Sequence, residues 1–415
     1  MNYFQVAILL SVLVSLGEAK SQSQIDPLDD EFDSLDRRLE AEFYNTDQSL
    51  ERRFLLVKEA VEKAYKGLSE KISVNWGSDI KLPSRKTWVT YDDSFETRVE
   101  FDFESGTYRI ETILDDDIAK SLVALKSLAT KIVLSNEAEL NAADVFKQQV
   151  QNTLKASNFL AEQTSLEFAS KNQHINALEI LPTNVIELID NLHLEQVLIP
   201  ENDEQITNKF ETKVEVIGTP ELKKLVLTIP FVNNYQKILF RDKLKTIKGL
   251  AQKYNIDTSL ILAVIEAESS FNPMATSAIP AFGLMQLVPN TAALDSYQFL
   301  YGKRHIVSPD FLYNQDNNLL FGTTYLHILS SQYLKDIADS QSKIYCILAS
   351  YNTGVGNLSK TFVQQKNLRK AISKINTLSS KQTYDHLMAN LPADETKHYI
   401  QKILARKQYY YELGL

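Results

Sequence analysis

One glutamate stands out because it continues the apolar stripe of a predicted helix. Leu260 and Val264 share one face of that helix, and Glu268 follows at the same spacing of four. Glu266 is rotated by roughly 200° from Val264, at about 100° per residue, and is expected to face elsewhere. Burying an unpaired carboxylate is costly, and desolvation raises its pKa. Glu268 is therefore either a general acid or a structural glutamate bonded to its surroundings, and its position alone does not separate the two.

Four short motifs follow one another from Glu268 onwards. They are Glu268-Ser-Ser-Phe-Asn-Pro273, Gly283-Leu-Met-Gln286, Ala349-Ser-Tyr-Asn-Thr-Gly354 and Glu395-Thr-Lys-His-Tyr399. Each motif alone is weak evidence of a function, whereas four in this order are specific. The set resembles the signature of the lytic transglycosylases, which are goose-type-lysozyme-like enzymes of bacterial cell walls.

The resemblance implies a reaction with one catalytic carboxyl group. It is the non-hydrolytic cleavage of the β-1,4 bond between N-acetylmuramic acid and N-acetylglucosamine, which leaves a 1,6-anhydromuramoyl end. Glu268 would act first as acid and then as base, and the acetamido group of the substrate would stabilise the charge at C1. A second carboxylate is not needed, and the nearest downstream acids, Asp295 and Asp310, are predicted to be solvated surface residues.

The resemblance also assigns roles around the catalytic glutamate. Tyr399 would place its hydroxyl close to Glu268 and tune the proton affinity of the carboxyl group. Tyr351 and Asn352 would line the cleft and bind sugar. Packing is the alternative role for both tyrosines, because the chain has 19 of them. Ser269 would either contact the substrate or cap the broken end of the helix.

The Gly-Leu-Met-Gln motif is assigned to sugar binding. Gln286 can exchange hydrogen bonds with an acetamido group, and Met285 would supply an apolar wall for a sugar face. The segment from Asn318 to Leu326 also resembles the family, and its predicted role is helix packing. No cofactor or metal is expected, because the six histidines lack the paired spacing of a zinc site on a helix.

The N-terminus resembles a secretion signal. An apolar run ends at Leu16, before Gly17-Glu18-Ala19 with small residues at the positions that a signal peptidase reads. Residues 1–19 are therefore predicted to be a signal peptide, and an uncleaved anchor is the alternative, although the run is short for a bilayer. We expect a periplasmic or cell-envelope protein. The one cysteine, Cys346, leaves no acceptor for lipoprotein anchoring near residue 20.

Residues 20–73 are predicted to form an acidic segment, from Ile25 to Asp33, and an amphipathic helix. The apolar stripe of this helix consists of Leu50, Phe54, Val57, Val61, Ala64 and Leu68. Spacings of four and three place these side chains on one face. The helix packs on its own domain, binds a protein partner in the cell envelope or forms a short coiled coil.

The remaining chain is predicted to have two domains and an α+β fold overall. Residues 74–235 form an α+β accessory domain similar to that of the C-type family of membrane-bound lytic murein transglycosylases. Its predicted strands are 86–91, 98–103 and 108–113, with a hairpin at Glu104-Ser105-Gly106, and 213–217 paired with 224–229; its predicted helices are 118–134 and about 143–169. Residues 236–415 have helical periodicity, and the resemblance makes them an all-α, lysozyme-like catalytic domain.

The charge and composition of the chain restrict the classes of partner that it is expected to bind. The net charge is -9 and no dense basic run occurs, so a nucleic-acid partner is not expected. Peptidoglycan glycan strands are the expected substrate. Two alternatives stay open: a non-catalytic peptidoglycan-binding or scaffold protein of the cell envelope, and an enzyme that hydrolyses the same bond or chitin.

Overall fold

Helix α1, Pro27–Trp76, is the first element of the structure. The structure is a computed structural model that describes residues 27–164, 177–193, 213–219 and 222–415. The helix begins within the acidic segment that we expected to precede it. Proline is favoured in the first turn of a helix, and carboxylates there complement the helix dipole. The predicted signal peptide, residues 1–19, lies outside the described residues.

The apolar stripe of α1 is buried. The chain divides into two compact units, residues 1–49 and 50–415, and the stripe belongs to the second. The buried residues of the stripe are Leu50, Val57, Val61, Ala64 and Leu68. Leu50 packs with Leu294 and Ile306 of the C-terminal half, while Trp76, at the other end of α1, lies under the guanidinium of Arg98 at 3.8 Å. The prediction of a helix that packs on its own domain is confirmed.

A five-stranded antiparallel sheet follows α1. Its strands are β1 (Thr87–Tyr91), β2 (Thr97–Asp102), β3 (Thr107–Ile113), β4 (Lys213–Gly218) and β5 (Lys223–Pro230), in the order β1-β2-β3-β5-β4. Gly106 makes the predicted hairpin possible: its φ is +71°, and its amide bonds the carbonyl of Asp102 at 2.9 Å. The predicted hairpin and the predicted pairing of the last two strands are both confirmed.

Helical elements lie between the third and fourth strands in the chain. They are α2 (Ile118–Leu134), α3 (Glu137–Ala143), α4 (Val145–Ala156), a 3-10 turn (Phe159–Glu162), α5 (Ala177–Ile180) and α6 (Val185–Asp190). Helices α2 and α4 pack on the sheet, and the other helical elements between these strands pack on these two. Helix α2 has the predicted bounds, but α4 ends earlier than the predicted segment 143–169. The reason is local, because Asn158 takes a left-handed φ of 59° and stops the helix. Residues 165–169 lie outside the described residues.

The C-terminal part is all helical, as predicted. Its helices are α7 (Tyr235–Arg241), α8 (Leu244–Tyr254), α9 (Thr258–Ser269), α10 (Ala292–Tyr301), α11 (Pro309–Tyr313), α12 (Gln315–Ile328), a π turn (Leu329–Tyr333), α13 (Ser340–Thr353), α14 (Val355–Val363), α15 (Leu368–Ile375), α16 (Ser380–Asn390) and α17 (Asp394–Glu412). One continuous hydrophobic core joins these helices to the sheet. Of the helices described, none has the length and apolar composition needed to cross a membrane.

Below, residues 74–235 are called the sheet region and residues 236–415 the helical region.

Candidate active site

Helix α9 carries Glu268 into the core of the helical region. Every residue of this helix from Ser259 to Ser269 is buried, and Glu268 is 5% exposed. Because burial disfavours the charged form, the pKa of Glu268 rises to about 7. The carboxyl group is therefore poised to exchange a proton near neutral pH.

Tyr399 lies against this carboxyl group. It comes from α17, which packs on α9, and its hydroxyl donates a hydrogen bond to Oε1 of Glu268 at 2.6 Å. Burial, followed by the negative charge of Glu268, holds the pKa of Tyr399 well above its usual range, so the phenol keeps its proton. The hydrogen bond occupies Oε1 and leaves Oε2 as the oxygen that can exchange a proton with a substrate.

Glu266 points to a different side of α9, as its helical position predicted. It is 6% exposed and accepts hydrogen bonds from Arg406 Nε at 2.6 Å and the Tyr410 hydroxyl at 2.7 Å. Arg406 and Tyr410 lie on α17, the helix that also carries Tyr399. Glu266 is thus a buried but paired carboxylate that fixes the two helices of the site to each other.

The chain after Glu268 leaves the helix in an unusual conformation. Ser270 and Phe271 are both left-handed, with φ of 51° and 66°. Non-glycine residues adopt this conformation at a cost, and such strain is concentrated at functional sites. Asn272, which is fully buried, stabilises the bend by accepting a hydrogen bond from the amide of Met274 at 3.0 Å.

Ser269 connects the helix end to the Gly-Leu-Met-Gln turn. Its hydroxyl lies 3.1 Å from the carbonyl oxygen of Ile265 and 2.8 Å from that of Leu284. The side chain has no exposed surface. Of the two roles left open by the sequence, this geometry favours the structural one, because a fully enclosed hydroxyl cannot contact a substrate in this state.

Asn318 holds the Gly-Leu-Met-Gln turn in place. Its Nδ2 donates to the carbonyls of Phe282 and Leu312, each at 2.8 Å, and its Oδ1 accepts from the amide of Met285 at 2.8 Å. Gly283 has a φ of +73°, and an added Cβ there would collide with Asn318. We predicted only helix packing for the 318–326 segment. Asn318 also shapes the site through its bonds to the turn.

The structure encloses Met285 completely. Its side chain has no exposed surface and packs against Gly322, which offers no Cβ and so leaves room for the sulfur. The predicted role as an apolar wall for sugar does not fit this placement, because the thioether faces α12. The polar contact of Met285 with α12 is made by its backbone amide, which bonds Asn318.

Gln286 is almost as enclosed, with 8% exposure and a left-handed φ of 47°. Its Nε2 donates to the carbonyls of Ala275 and Gly283, both at 3.1 Å. Its Oε1 accepts no hydrogen bond from the described residues. The amide group is thus oriented by its nitrogen, and its oxygen is the acceptor left over.

The third motif meets the first and second. The Tyr351 hydroxyl donates to the carbonyl of Met285 at 2.8 Å, and Asn352 Oδ1 accepts from the Thr396 hydroxyl at 2.7 Å. Burial and the charge of Glu268 hold the pKa of Tyr351 well above its usual range. Tyr351 and Asn352 are both partly exposed. The fold therefore brings all four sequence motifs together.

The two downstream acids are less exposed than we predicted. Asp295 accepts a hydrogen bond from the Tyr333 hydroxyl at 3.1 Å, and burial raises its pKa. Asp310 accepts from Gln151 Nε2 at 2.8 Å. Both are partly buried, so their prediction as solvated surface residues is wrong. The reason is tertiary: side chains distant in sequence cover both.

Arg85 is a site residue that the sequence did not reveal. It precedes β1, and its Nη2 lies 3.0 Å from Oε1 of Glu395, one helical turn before Tyr399. Its positive charge opposes the effect of burial on the pKa of Glu268. No spacing rule connects a residue of the sheet region with a motif 310 positions later, so only the fold shows this contact.

Two protein-family models match parts of the chain. Residues 245–374 match the family model described as Transglycosylase SLT domain, which contains Glu268 and the first three motifs. Residues 245–374 are thus a lytic transglycosylase domain. Residues 54–178 match a second model, the N-terminal domain of membrane-bound lytic murein transglycosylase C.

Individual relatives then give the family. The chain is 32% identical over 339 residues to membrane-bound lytic murein transglycosylase C of Haemophilus influenzae Rd, which covers 81% of this chain and 85% of the relative. The enzyme of the same name from Yersinia pestis is 29% identical over the same shares. A solved structure, an inactive mutant of lytic transglycosylase Slt from Pseudomonas aeruginosa, matches 41% of this chain and 24% of its own at 25% identity, with a TM-score of 0.32. The chain belongs to the membrane-bound lytic murein transglycosylase C family.

Proposed function

We propose that this chain is a peptidoglycan lytic transglycosylase with Glu268 as its acid and base. It cleaves the β-1,4 bond between N-acetylmuramic acid and N-acetylglucosamine and leaves 1,6-anhydromuramoyl ends. Membership of the family supports the reaction. The observation that supports the residue is the buried carboxyl of Glu268, whose pKa is about 7 and whose Oε1 is held by Tyr399 at 2.6 Å.

The first step needs the protonated carboxyl. Glu268 donates its proton from Oε2 to the glycosidic oxygen, the bond from C1 to that oxygen breaks, and the bonding pair leaves with the N-acetylglucosamine alcohol. The carbonyl oxygen of the 2-acetamido group of the muramoyl sugar stabilises the positive charge that develops at C1. Burial serves this step, because a carboxyl that is neutral near pH 7 has a proton to give.

The second step uses the carboxylate that the first step leaves. Glu268 removes the proton of the C6 hydroxyl of the same muramoyl sugar, and O6 attacks C1. The new bond closes the 1,6-anhydro ring and releases the acetamido oxygen from C1. The proton returns to Glu268, so the enzyme is regenerated and no water is consumed.

The surrounding residues bind the sugar or position the carboxyl group. We assign Tyr399 to orienting Glu268, because its hydrogen bond selects which oxygen is free. We assign Tyr351 and Asn352 to the cleft, since both are partly exposed near the carboxyl group. Gln286 keeps one acceptor without a hydrogen bond, its Oε1, which suits the N–H of an acetamido group. This oxygen is buried, so the contact requires the Gly-Leu-Met-Gln turn to open when the glycan binds.

Met285 and Ser269 take positioning roles in the proposal. Both side chains are fully buried. The Ser269 hydroxyl joins the end of α9 to the Gly-Leu-Met-Gln turn through the carbonyl of Leu284, and the Met285 amide ties that turn to Asn318 of α12. We therefore expect substitutions at these two positions to act on the geometry of Glu268 and Gln286 and not on a direct sugar contact.

Digestion of purified murein sacculi tests the proposal. The wild type, Glu268→Gln and a surface control, Glu62→Gln, are compared, and soluble products are identified by mass spectrometry. Glu62 is a fair control because its side chain is 58% exposed on α1. We expect anhydromuropeptides from the wild type and the control, and a loss of at least about 10³-fold in rate for Glu268→Gln.

The alternatives predict different products. Products heavier by one water would indicate a hydrolase. No soluble product from any variant, despite co-sedimentation with sacculi, would indicate a non-catalytic peptidoglycan-binding or scaffold protein. Appreciable turnover by a folded Glu268→Gln variant would remove Glu268 from the acid and base role.

We further propose that the protein acts in the cell envelope. The relatives are named membrane-bound, and residues 1–19 have the pattern of an export signal. Fractionation of cells that produce the full chain or a Leu9→Arg, Leu10→Arg variant tests this. We expect the variant to accumulate in the cytoplasm, and an unchanged distribution would exclude residues 1–19 as the signal.

A protein partner for the N-terminal region is a separate proposal. Because the apolar stripe of α1 is buried, a partner would use the opposite face, where Leu55 is 46% exposed. Cross-linking in cells with the wild type and Leu55→Asp tests this surface. A partner that is captured equally by both chains would exclude it.

A further inference from the structure

A turn of the sheet region reaches the catalytic helix. The turn runs from Ser84 to Thr87, immediately before β1. The amide of Ser84 donates to the carbonyl of Thr87 at 3.0 Å, and the Ser84 hydroxyl oxygen accepts from the amides of Lys86 and Thr87 at 3.2 and 3.1 Å. These bonds close the turn on itself, so Arg85 at its tip has a fixed backbone.

The turn is attached to the segment that follows Glu268. The amide of Thr276 donates to the carbonyl of Ser84 at 3.3 Å, and Asn272 Nδ2 donates to the carbonyl of Arg85 at 3.4 Å. Asn272 and Thr276 are both buried. The position of Arg85 is therefore set by residues 272–276, which follow the end of α9.

The guanidinium of Arg85 faces the other catalytic segment. Nη2 lies 3.0 Å from Oε1 of Glu395, and the two side chains are 39% and 68% exposed. An ion pair this exposed is weak, so a second carboxylate can compete with Glu395 for the guanidinium. Glu395 stands one helical turn before Tyr399, which places this exchange beside the hydroxyl that holds Glu268.

Positive charge exceeds negative charge around the turn. Lys86 and Lys402 both bond Glu104, with Lys402 Nζ at 3.1 Å from its Oε1, and Arg85 bonds Glu395. These five side chains comprise three cations and two carboxylates. Arg85 and Lys86 each act electrostatically on Glu268, in opposition to the effect of burial on its pKa. The rim of the site is therefore suited to an anionic group of the substrate.

We propose that Arg85 determines substrate specificity by binding a carboxylate carried by the muramoyl residue at the scissile bond. The inference rests on the proposed function. A muramoyl residue bears a lactyl carboxyl group that is either free or extended by a peptide with carboxylates of its own. The planar guanidinium matches a carboxylate with two parallel hydrogen bonds, which an ammonium group cannot reproduce. Arg85 exchanges Glu395 for this carboxylate when the glycan binds.

Kinetics on three defined glycans test the proposal. The first glycan consists of strands that carry the peptide. The second consists of strands from which an amidase has removed the peptide. The third is made from the amidase-treated strands by converting their lactyl carboxyl groups to amides. We expect Arg85→Gln to raise KM about tenfold on a carboxylate-bearing strand, with kcat little changed, and to leave the amidated strand unaffected. Arg85→Lys should recover part of the loss. Arg369→Gln, on the exposed face of α15, is the control for removal of one positive charge.

The three glycans distinguish the two sources of the carboxylate. A loss confined to peptide-bearing strands assigns the group to the peptide, and a loss on amidase-treated strands assigns it to the lactyl group. Glu395→Gln frees Arg85 from its partner and should lower KM on the same strand. Equal effects of Arg85→Gln on carboxylate and amide strands, or no effect on either, would overturn the proposal. Failure of the wild type to release anhydro products from any strand would overturn the proposed function instead.

Discussion

Two buried glutamates, one in each region of the molecule, have opposite proton affinities. Glu111 on β3 is 1% exposed, and burial alone would raise its pKa. Arg98 Nε at 2.6 Å and Lys224 Nζ at 3.2 Å reverse that effect, with Lys81 and Arg109 nearby, and the pKa falls to about 2. This carboxylate is charged at neutral pH, and its role is structural.

Glu268 is equally buried but bonds a neutral hydroxyl and no cation of the described residues. Its pKa is therefore about 7. Glu266, on the same helix, behaves like Glu111 in having a cation partner, Arg406. The comparison teaches that burial of a carboxyl group is not by itself the mark of a catalytic site. What sets the proposed catalytic residue apart is burial without a hydrogen-bonded cation, next to a donor that fixes one oxygen.

The largest change in stability is expected from a substitution of Glu111 in the sheet region. Glu111→Gln removes the carboxylate that Arg98 and Lys224 share and leaves buried positive charge. We expect it to lower the free energy of unfolding by about 3–5 kcal/mol, as measured by chemical denaturation. Glu62→Gln, on the exposed surface of α1, should change it by less than about 0.5 kcal/mol. A loss below about 1 kcal/mol for Glu111→Gln would show that the network is not a structural requirement.

Glu268→Gln is expected to stabilise the protein relative to the wild type at neutral pH, in contrast to Glu111→Gln. The folded pKa of about 7 lies above the unfolded value of 4.5, so between these values the folded state holds a proton that the unfolded state has lost. Stability of the wild type must then fall as pH rises from about 4.5 to 7, by about 3 kcal/mol in total. Glu268→Gln lacks this penalty, so its stability relative to the wild type should increase over that pH range and level off above it. Denaturation curves at pH 4, 6 and 8 measure this, and a constant difference would contradict the raised pKa.

The contrast between the two regions also explains what the sequence could predict. The strands, α2 and the buried position of Glu268 follow from periodicity, which depends on neighbours within one element. The network around Glu111 and the contact of Arg85 with Glu395 join residues that are far apart in the chain. Enclosure of Met285 was missed for the same reason, since it depends on Gly322 of another helix. The motifs supplied the candidate residues, while tertiary packing determines what each one contacts.

Gly322 offers a smaller test of how the enclosure of the site is built. A Cβ at Gly322 would fall inside the contact distance of the Met285 sulfur. We expect Gly322→Ala to cost about 1–3 kcal/mol of stability by overpacking, and to lower kcat because Met285 belongs to the turn that carries Gln286. Gly249→Ala is the matched control, because a Cβ at this exposed position of α8 meets nothing within 4 Å. It should be neutral or stabilising by up to about 1 kcal/mol. A Gly322→Ala variant with normal kcat and stability would show that the core around Met285 accommodates the added methyl group.

The smallest expected effect comes from removing the single hydrogen bond that distinguishes the Glu268 pocket. Tyr399→Phe deletes the donor to Oε1, and this bond lowers the pKa of Glu268 against the effect of burial. We expect kcat to fall about tenfold, equivalent to about 1.4 kcal/mol, because the oxygens of the carboxyl group are no longer distinguished.

The pH profile of this variant separates orientation from general damage. In the proposed mechanism Glu268 must be protonated to begin the reaction, so kcat is expected to fall as pH rises through the pKa of this carboxyl group. Arg85 and Lys86 lower that pKa and Glu395 raises it, and none of them is changed in Tyr399→Phe. The alkaline limb should therefore move to higher pH, while Tyr411→Phe, at a position 68% exposed on α17, should leave it in place. A limb that stays at the wild-type pH despite the lower kcat would mean that Tyr399 packs against the site without tuning its proton affinity.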